Sequence, residues 1–346
     1  MKIKGYGIGS MMYGVGYGFA RPDFGAAEVD ISADGSITIW HGGSELGQGI
    51  CTILCQFAAQ ELGIPYEDIR IINADTSSTP NTGPVSASRS TFVQGSAVID
   101  ACSKLKDQLK NLAAELLKVP KENLEILNER VIDHLRSEEE IKISDLAKEM
   151  HKRGLPTRFH GWYSNTTQDV DPETSQGNVF RQFAWASQIA EVEVDTDTGK
   201  VKVLTIASAT DAGKAINPIL VEGQIEGGAV QGVGYAIMEE MKVKNGEFQN
   251  ASFSTYLIPT AVDAPRITPL IVEVPDPTGP YGAKGVGEPA LIPTAPAILN
   301  AINNAIGVRI RNLPASPEKI LTALGSIHPR IDENHYTLEM IDYPPF

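Results

Sequence analysis

The sequence predicts an α+β fold in which a unit of hairpin, loop and helix occurs twice. Its 346 residues exceed what one hydrophobic core usually organises, so two lobes are expected. The segment AEVDI at 27–31 is echoed by AEVEV at 190–194, and both precede a turn that contains glycine. A glycine-bearing loop or helix follows in each case, which favours an internal duplication. Because half-buried strands share alternating apolar residues, so short a match can also arise by coincidence.

The chain is expected to divide into three parts. Residues 1–160 form the first predicted lobe, residues 161–325 the second, and residues 326–346 an irregular C-terminal tail. The polar stretch 119–180 is the predicted lobe junction, irregular except for one helix near Ser144 to Lys152.

Local patterns predict the main elements. Residues 26–40 alternate apolar and polar side chains around Asp34-Gly35, which is typical of a β-hairpin with a tight turn. Gly63 is placed to end a helix, because glycine readily adopts the left-handed conformation found there. Apolar spacing predicts a strand over 69–72 and helices over 50–62, 92–118, 224–237 and 294–306, with another helix beginning at Ser316-Pro317.

Composition excludes several classes of protein. The net charge of −14, without a basic stretch, argues against a nucleic-acid partner, because no segment could neutralise phosphates. Three cysteines without a CxxC pair predict neither a disulfide framework nor a four-cysteine metal site, and they suit a reducing cytoplasm. No apolar run reaches membrane-spanning length, and the N-terminal stretch GYGIGSMMYGVGYG lacks the continuous apolar core of a signal peptide. We therefore expect a cytoplasmic protein without a membrane partner.

Three loops are candidates for a ligand site. The loop 43–49 opens into a helix, whose free N–H groups can bind phosphate. The loop 80–90 is rich in small and hydroxyl side chains, and its three serines with Arg89 can donate to a pyrophosphate. The loop 282–289 places Glu288 between flexible glycines and a rigid proline.

Each loop also has a purely structural interpretation. A glycine-rich loop before a helix is more often a tight turn than a site, and a single glutamate is usually a surface carboxylate. A dinucleotide fold is excluded by spacing, since Gly5 and Gly7 would need glycine where Ser10 stands. A P-loop is excluded because Lys284 precedes Gly285 and not serine or threonine. Taken together, the three loops favour an extended anionic cofactor.

Five motifs carry a resemblance to a known family. They are ELGQG (45–49), TPNTGPVSASRS (79–90), NPILVEGQIEGGAVQG (217–232), GAKGVGEPA (282–290) and LPASPEKIL (313–321). In this order they resemble the second molybdenum-binding domain of the xanthine dehydrogenase/aldehyde oxidase family of molybdenum hydroxylases. The resemblance runs from about Gly5 to Leu324. It implies a duplicated two-lobe cofactor domain whose mixed sheets pack with helices.

The resemblance also implies roles for individual residues. Glu288 is expected to be the catalytic base, taking a proton from the oxygen that attacks the substrate. No protein side chain is expected to bind the metal, because the pterin dithiolene holds the molybdenum in this family. The implied cofactor contacts are Leu46, Gly47, Gln48, Gly49, Val85, Ser86, Ala87, Ser88, Arg89, Ser90, Gln224, Val286 and Gly287.

Cofactor form and partners follow from the same resemblance. Bacterial relatives usually hold molybdopterin cytosine dinucleotide, with a terminal sulfido or selenido ligand on the molybdenum. In fused relatives a first molybdenum-binding domain precedes this one, whereas here Met1 stands almost at its start. We therefore expect a separate large molybdopterin subunit, an iron-sulfur subunit with 2Fe-2S clusters, and an FAD subunit.

The expected substrate is an electron-poor N-heteroaromatic compound. The resemblance is closest to members with a divided molybdenum protein that hydroxylate nicotinate to 6-hydroxynicotinate, with NADP as the final acceptor. Tyr13 or Tyr17 can stack on such a ring, although both can equally be ordinary packing. The alternatives are a purine or xanthine dehydrogenase, an aldehyde or carbon monoxide dehydrogenase, a non-catalytic scaffold that clamps the cofactor, and a cofactor-insertion chaperone.

Overall fold

The computed structural model of the chain describes residues 1–135 and 140–327. In that part of the chain the strands are β1 (Lys2–Val15), β2 (Phe24–Ile31), β3 (Ile37–His41), β4 (Ile69–Asn73), β5 (Leu124–Leu127), β6 (Arg130–Asp133), β7 (Glu140–Lys142), β8 (Arg158–Ser164), β9 (Gln182–Asp195), β10 (Val201–Asp211), β11 (Val243–Lys244), β12 (Glu247–Phe248) and β13 (Arg266–Val272). The helices are α1 (Ile50–Leu62), α2 (Gly95–Leu117), α3 (Ile143–Arg153), α4 (Pro218–Ile237), α5 (Gly287–Leu291), α6 (Thr294–Ile306) and α7 (Pro317–Ala323). One π-helical turn, Ser90–Gln94, leads into α2.

Two four-stranded sheets share one topology, which confirms the α+β class and the internal repeat. The first sheet has the order β4-β3-β2-β8 and the second the order β13-β10-β9-β1. In each, a hairpin (β2-β3 or β9-β10) is followed by a helix and a strand that pairs in parallel with the hairpin's second strand. Helices α2 and α6 occupy equivalent places, α2 against β8 and α6 against β1.

Three predicted helix boundaries, at Gly63, Gly307 and Pro317, agree with the structure, whereas α4 begins at Pro218 and not at the expected residue 224. Gly63 and Gly307 adopt left-handed φ angles of 62° and 72° directly after α1 and α6, where a Cβ would be strained. Helix α7 begins at Pro317, and the Ser316 side chain accepts a hydrogen bond from the Lys319 N–H at 3.4 Å. Local capping chemistry therefore determines where these helices begin and end.

The strands do not follow the expected division at residue 160. Strand β1, although it comes first in the chain, pairs with β9 in the second sheet over its whole length. Strand β8 spans residue 160 and belongs to the first sheet. The second lobe thus takes its fourth strand from the N-terminus, a long-range pairing that local patterns do not reveal. Of the tail 326–346, residues 328–346 lie outside the described residues.

The glycines of β1 serve packing. A Cβ on Gly5, Gly7 or Gly9 would lie 2.2–2.3 Å from a backbone carbonyl oxygen of α6 or of the residue before it. Only glycine therefore lets α6 approach the strand so closely. This explains the glycines at 5, 7 and 9, a pattern that resembles a nucleotide-binding loop in composition but not in spacing.

The stretch 119–180 is more regular than expected. Besides α3, at the predicted place, it contains β8 and a small sheet of order β5-β6-β7. The expectation of an irregular junction was therefore wrong. Strands of three or four residues are too short to show a period. No helix among residues 1–135 and 140–327 is both long and apolar enough to cross a membrane.

The packing of α6 on β1 predicts the effect of Gly7→Ala. The added methyl would collide with backbone atoms of Ala297 and Ala301, so the free energy of unfolding should fall by about 1–3 kcal/mol. Gly227→Ala in α4 is the matched control, because nothing lies within 4 Å of that position and alanine favours helix. Urea unfolding followed by circular dichroism measures both variants. Equal stability of the two would contradict the packing explanation.

Candidate functional site

The three candidate loops converge with helix α4 on one cleft between the two lobes. The cleft has a volume of about 240 Å³. Its lining residues are Leu46, Gln48, Ile50, Ile53, Val85, Ser86, Ser88, Ser90, Thr91, Gln224, Gly285, Val286, Gly287 and Glu288. Segments far apart in the sequence are thus brought together, and most residues that the motifs nominate line this cleft.

Glu288 lies where the second and third loops touch. The Ser88 hydroxyl donates a hydrogen bond to the Glu288 carboxylate, and the Glu288 N–H donates to the Ser88 Oγ at 3.0 Å. A Cβ on Gly285 would lie 1.7 Å from the Ser88 carbonyl oxygen, so only glycine permits this contact. The half-buried carboxylate is therefore held at a defined place in the cleft.

A buried ion pair holds the second loop in its conformation. Arg89 donates to the Asp23 carboxylate at 2.5 Å, and neither side chain is more than 1% exposed. Asp23 also accepts the Tyr17 N–H at 2.8 Å and the Asn165 side-chain amide at 2.9 Å. This network supports the left-handed backbone of Ala87 and Ser88, whose φ angles of 52° and 50° are unfavourable for residues with a Cβ.

The structure corrects the role expected for the Arg89 side chain. Besides Asp23, its guanidinium donates to the carbonyl oxygens of Phe24, Thr82 and Pro84. Four of its five N–H donors are used by these partners, and the side chain is 1% exposed and does not line the cleft. Arginine in a serine-rich loop resembles an anion site in the sequence, but here it holds the loop together.

A second buried ion pair anchors the third loop. Lys284 donates from Nζ to the Asp211 carboxylate at 2.7 Å, and both side chains are 6% exposed. Asp211 also accepts the Gly213 N–H at 2.9 Å, and the Lys284 N–H donates to the Ala212 carbonyl at 3.0 Å. The loop that carries Glu288 is thereby attached to the end of β10.

The first loop is capped by its own carboxylate. Glu45 accepts hydrogen bonds from the N–H groups of Gly47 and Gly49 at 2.9 Å and of Cys51 at 3.1 Å. Burial opposes ionisation of Glu45, but these donors outweigh it and lower its pKa. Glu45 therefore occupies the N–H groups of Gly49 and Cys51, two of those that the N-terminus of α1 was expected to offer to phosphate. The Gln48 amide is also folded back, donating to the Ser44 carbonyl at 2.9 Å.

A buried histidine lies beneath this first loop. Burial lowers the pKa of His41 to about 4, with the neighbouring Gln94 amide opposing the shift and the positive charge of Arg89 contributing to it. Asn73 lies beside the His41 ring, and its amide donates to the Gly43 carbonyl while accepting the Glu45 N–H at 3.3 Å. His41 is therefore neutral in the folded protein near pH 7.

Both candidate tyrosines reach the site. Burial raises the pKa of the Tyr13 hydroxyl, and the charge of Glu288 raises it further. Tyr13 is therefore protonated beside the carboxylate. The Tyr17 hydroxyl lies 2.6 Å from the Ser86 Oγ, and the Arg89 guanidinium lies over the Tyr17 ring at 5.7 Å from its centroid. Each tyrosine contacts one of the candidate loops.

Several lining and supporting residues had no signal in the sequence. Ile50 and Ile53 belong to the apolar pattern of α1, and Thr91 lies in the π-helical turn. Asp23 and Asp211 stand outside the motifs that nominated the loops. Their carboxylates are recognised only by their buried partners, which lie 66 and 73 residues away in the chain.

Comparison with known families gives a match over most of the chain. The model of the molybdopterin cofactor-binding domain family matches residues 1–265. A curated relative from Paenarthrobacter nicotinovorans, 6-hydroxypseudooxynicotine dehydrogenase complex subunit gamma, is 33% identical over 322 residues, covering 92% of this chain and 39% of the relative. A probable xanthine dehydrogenase subunit from Bacillus subtilis is 34% identical over 321 residues, covering 93% of this chain and 42% of the relative.

Solved structures agree with these matches. Quinoline 2-oxidoreductase from Pseudomonas putida superposes with a TM-score of 0.82 at 28% identity, over 94% of this chain and 42% of that one. Aldehyde oxidoreductase from Desulfovibrio desulfuricans gives a TM-score of 0.77 at 33% identity, over 93% of this chain and 32% of that one. The chain therefore spans about two-fifths or less of the length of these proteins.

The buried pair beneath the second loop predicts the effect of Arg89→Leu. Loss of the guanidinium leaves the Asp23 carboxylate buried without its countercharge, so the free energy of unfolding should fall by about 3–5 kcal/mol. Lys148→Leu, which breaks an exposed pair with Asp145, should leave it unchanged. Urea unfolding compares the two variants. Equal losses of unfolding free energy in the two variants would show that the buried pair stabilises the fold no more than an exposed one.

The lowered pKa of His41 predicts a pH dependence of stability. The unfolded chain binds a proton on this ring below about pH 6.5, whereas the folded chain does so only near pH 4. Stability from this group is therefore present above pH 6.5 and lost as the pH falls towards 4, by up to about 1.4 kcal/mol per pH unit. His41→Gln should reduce the slope of unfolding free energy against pH in this window. His134→Gln, at an exposed position, is the control. Identical slopes in both variants and the wild type would show that His41 titrates normally.

Proposed function

This chain belongs to the xanthine dehydrogenase/aldehyde oxidase family of molybdenum hydroxylases, and on that basis we propose that it forms one wall of a molybdopterin active site. In this proposal it is part of an oxidoreductase that hydroxylates an electron-poor aromatic carbon with oxygen derived from water. Glu288 is the general base. The single observation that carries the proposal is the position of this carboxylate, held by Ser88 inside a cleft built from the family's motifs.

The residues of the cleft suit one end of a molybdopterin cofactor. Hydroxyls of Ser86, Ser90 and Thr91 and the side-chain amide of Gln224 line it, and such neutral donors and acceptors match a pterin better than a lone anion. Ligand pockets usually have volumes of about 300–1,000 Å³, and this cleft of about 240 Å³ lies below that range. The chain therefore supports part of the cofactor, with the remaining contacts supplied by other protein.

The form of the cofactor is a finer part of the proposal. We favour molybdopterin cytosine dinucleotide. In this arrangement the residues from Val85 to Ser90 contact its diphosphate through hydroxyl and backbone groups. The Arg89 side chain is excluded from that set by its buried contacts. Gly47, Gln48 and Gly49 remain contacts at the molybdenum end, and Gln48 must give up its bond to the Ser44 carbonyl to reach it.

The residues of this chain do three things in the proposed reaction. The molybdenum centre, with a terminal sulfido or selenido ligand, supplies the two-electron oxidation of the substrate carbon. Glu288 accepts on its carboxylate the proton of the oxygen that attacks this carbon. Ser88 orients that carboxylate, and the protonated Tyr13 beside it shields one side from water. Gly285 and Gly287 keep the approach to the carboxylate free of side chains.

Nicotinate, converted to 6-hydroxynicotinate with NADP as the final acceptor, is the proposed substrate. Tyr17 offers an aromatic face near the cleft, on which a pyridine ring can stack. The relative that belongs to a 6-hydroxypseudooxynicotine dehydrogenase complex and the structurally similar quinoline 2-oxidoreductase also favour an N-heteroaromatic ring. A purine such as xanthine is the second candidate, favoured by the xanthine dehydrogenase subunits of Bacillus subtilis and Escherichia coli.

The proposed partners follow from the cleft and the relatives. A large molybdopterin subunit completes the cofactor site, and an iron-sulfur subunit with 2Fe-2S clusters and an FAD subunit carry electrons onward. Several relatives bear the names of subunits, which supports an assembly. A non-catalytic scaffold is disfavoured, because clamping a cofactor requires no carboxylate at position 288.

The role of Glu288 predicts the effect of Glu288→Gln. Glutamine keeps the size and the bond from Ser88 but cannot accept the proton, so kcat of the native complex should fall by about 10²–10⁴-fold. Molybdenum content should stay at the wild-type level, because the side chain does not hold the metal. Glu115→Gln, on the exposed side of α2, is the control. Undiminished turnover by Glu288→Gln would contradict the assignment of Glu288 as the general base.

Composition of the native complex tests the cofactor and substrate. We expect molybdenum, a cytosine nucleotide released on denaturation, and iron and flavin from the partners. Turnover should be faster with nicotinate than with xanthine or hypoxanthine. The reverse order would select the purine alternative, and a complex without molybdenum would exclude the family's chemistry for this chain.

A further inference from the structure

The second sheet has one face that is apolar and open to solvent. Helices α4 and α6 pack on its inner face, where the glycines of β1 contact α6. On the outer face, five large apolar side chains are each 50–58% exposed, namely Ile8, Met12, Trp185, Ile189 and Leu270. Contiguous apolar surface of this kind commonly marks a protein contact.

Strand register places these side chains on one surface, with the hydroxyl pair of Ser10 and Ser187 between its two apolar rows. Ile8 lies opposite Ile189, and Met12 lies opposite Trp185, across the β1-β9 pair. Across the next two pairs, Ile189 lies opposite Ala207, and Ala209 lies opposite Leu270. Directly opposite residues point to the same side of a sheet. We call this surface the apolar face, formed by Ile8, Met12, Trp185, Ile189, Ala207, Ala209 and Leu270.

The outer face of the first sheet, which has the same strand order, mixes charged with aromatic side chains, and Trp162 there is 49% exposed and stacks on Phe24. There Arg158 forms an ion pair with Glu28, and its guanidinium lies 4.0 Å from the centroid of the Trp40 ring. The fold itself therefore does not require an apolar outer face. On the second sheet, by contrast, the ion pairs of β1 with β9 lie at one end and the exposed apolar side chains occupy the other.

The apolar face is restricted to the half of the sheet nearest the cleft. At the far end, Lys2 pairs with Glu193 and Lys4 with Glu191, each at 2.8 Å. At the near end, Met12 is followed directly by Tyr13, whose hydroxyl lies beside Glu288. The apolar face thus borders the cleft that another polypeptide is proposed to complete.

We propose that the apolar face docks the polypeptide that carries the remainder of the relatives' molybdenum protein, through aliphatic and aromatic side chains of that partner. This inference rests on the proposed function. Similar proteins are more than twice as long as this chain, which covers 39–42% of the first curated relatives, so a complementary portion exists in them. A second copy of this chain fits less well, because each copy carries a net charge of −14.

Charge insertion on the face tests the proposal. Leu270→Lys and, separately, Ile189→Lys are introduced into a tagged chain, and the native complex is recovered through the tag. The matched control is Ile72→Lys, at an exposed outer position of β4, which is the strand of the first sheet equivalent to β13. Recovery of the companion molybdopterin polypeptide should fall at least tenfold for the two test variants and remain unchanged for the control. Circular dichroism and urea unfolding of the isolated chain should be unchanged in all three.

Chemical labelling gives a second measurement, which does not depend on disrupting the complex. Ser187→Cys places a thiol in the centre of the apolar face, and Thr38→Cys places one on the outer face of the first sheet. Maleimide labelling at position 187 should be at least tenfold slower in the complex than in the isolated chain. Labelling at position 38 should be the same in both.

Three results would overturn the docking proposal. One is full recovery of the companion polypeptide with both test variants. Another is equal labelling at position 187 in the complex and the isolated chain. The third is a self-dimer of this chain that Leu270→Lys converts to a monomer without loss of the companion. If the wild-type complex contains molybdenum in any of these cases, the docking surface is wrong while the proposed function stands.

Discussion

The buried carboxylate of Asp23 is the interaction on which the arrangement of the site depends. It neutralises Arg89 and accepts the Tyr17 N–H and the Asn165 amide, so it joins three separate stretches of chain. Arg89 in turn binds three carbonyl oxygens of neighbouring segments. A charge buried this deeply is tolerated only when its partners satisfy it, and this requirement makes the geometry of the surrounding loops nearly unique.

The second lobe uses a similar device for its own loop. Lys284 and Asp211 form a buried pair that attaches the Glu288 loop to the end of β10. Since Ser88 is positioned by one pair and Glu288 by the other, their contact joins the two lobes. The proposed base is thereby oriented by an interaction that neither lobe can make alone.

The pairing of β1 with the second sheet also joins the two lobes. Strand β1 completes the second sheet before the chain enters the first, so the second lobe is not complete without the N-terminus. Tyr13 and Tyr17, at or just beyond the end of β1, are carried to the cleft by this pairing. The glycines that let α6 approach β1 therefore influence the site from a distance, through packing alone.

By itself, the sequence determined several of the main elements and the loops that line the cleft, but not the strands between residues 119 and 180. The hairpin at Asp34-Gly35, the helix ends at Gly63 and Gly307, and the loop that carries Glu288 all follow from local patterns, because backbone conformation there depends on neighbouring residues. The tertiary structure alone decided which sheet β1 joins, that the Arg89 side chain faces Asp23, and that Glu45 caps α1. These depend on contacts between distant residues or on the direction of one side chain, and a local period contains neither kind of information.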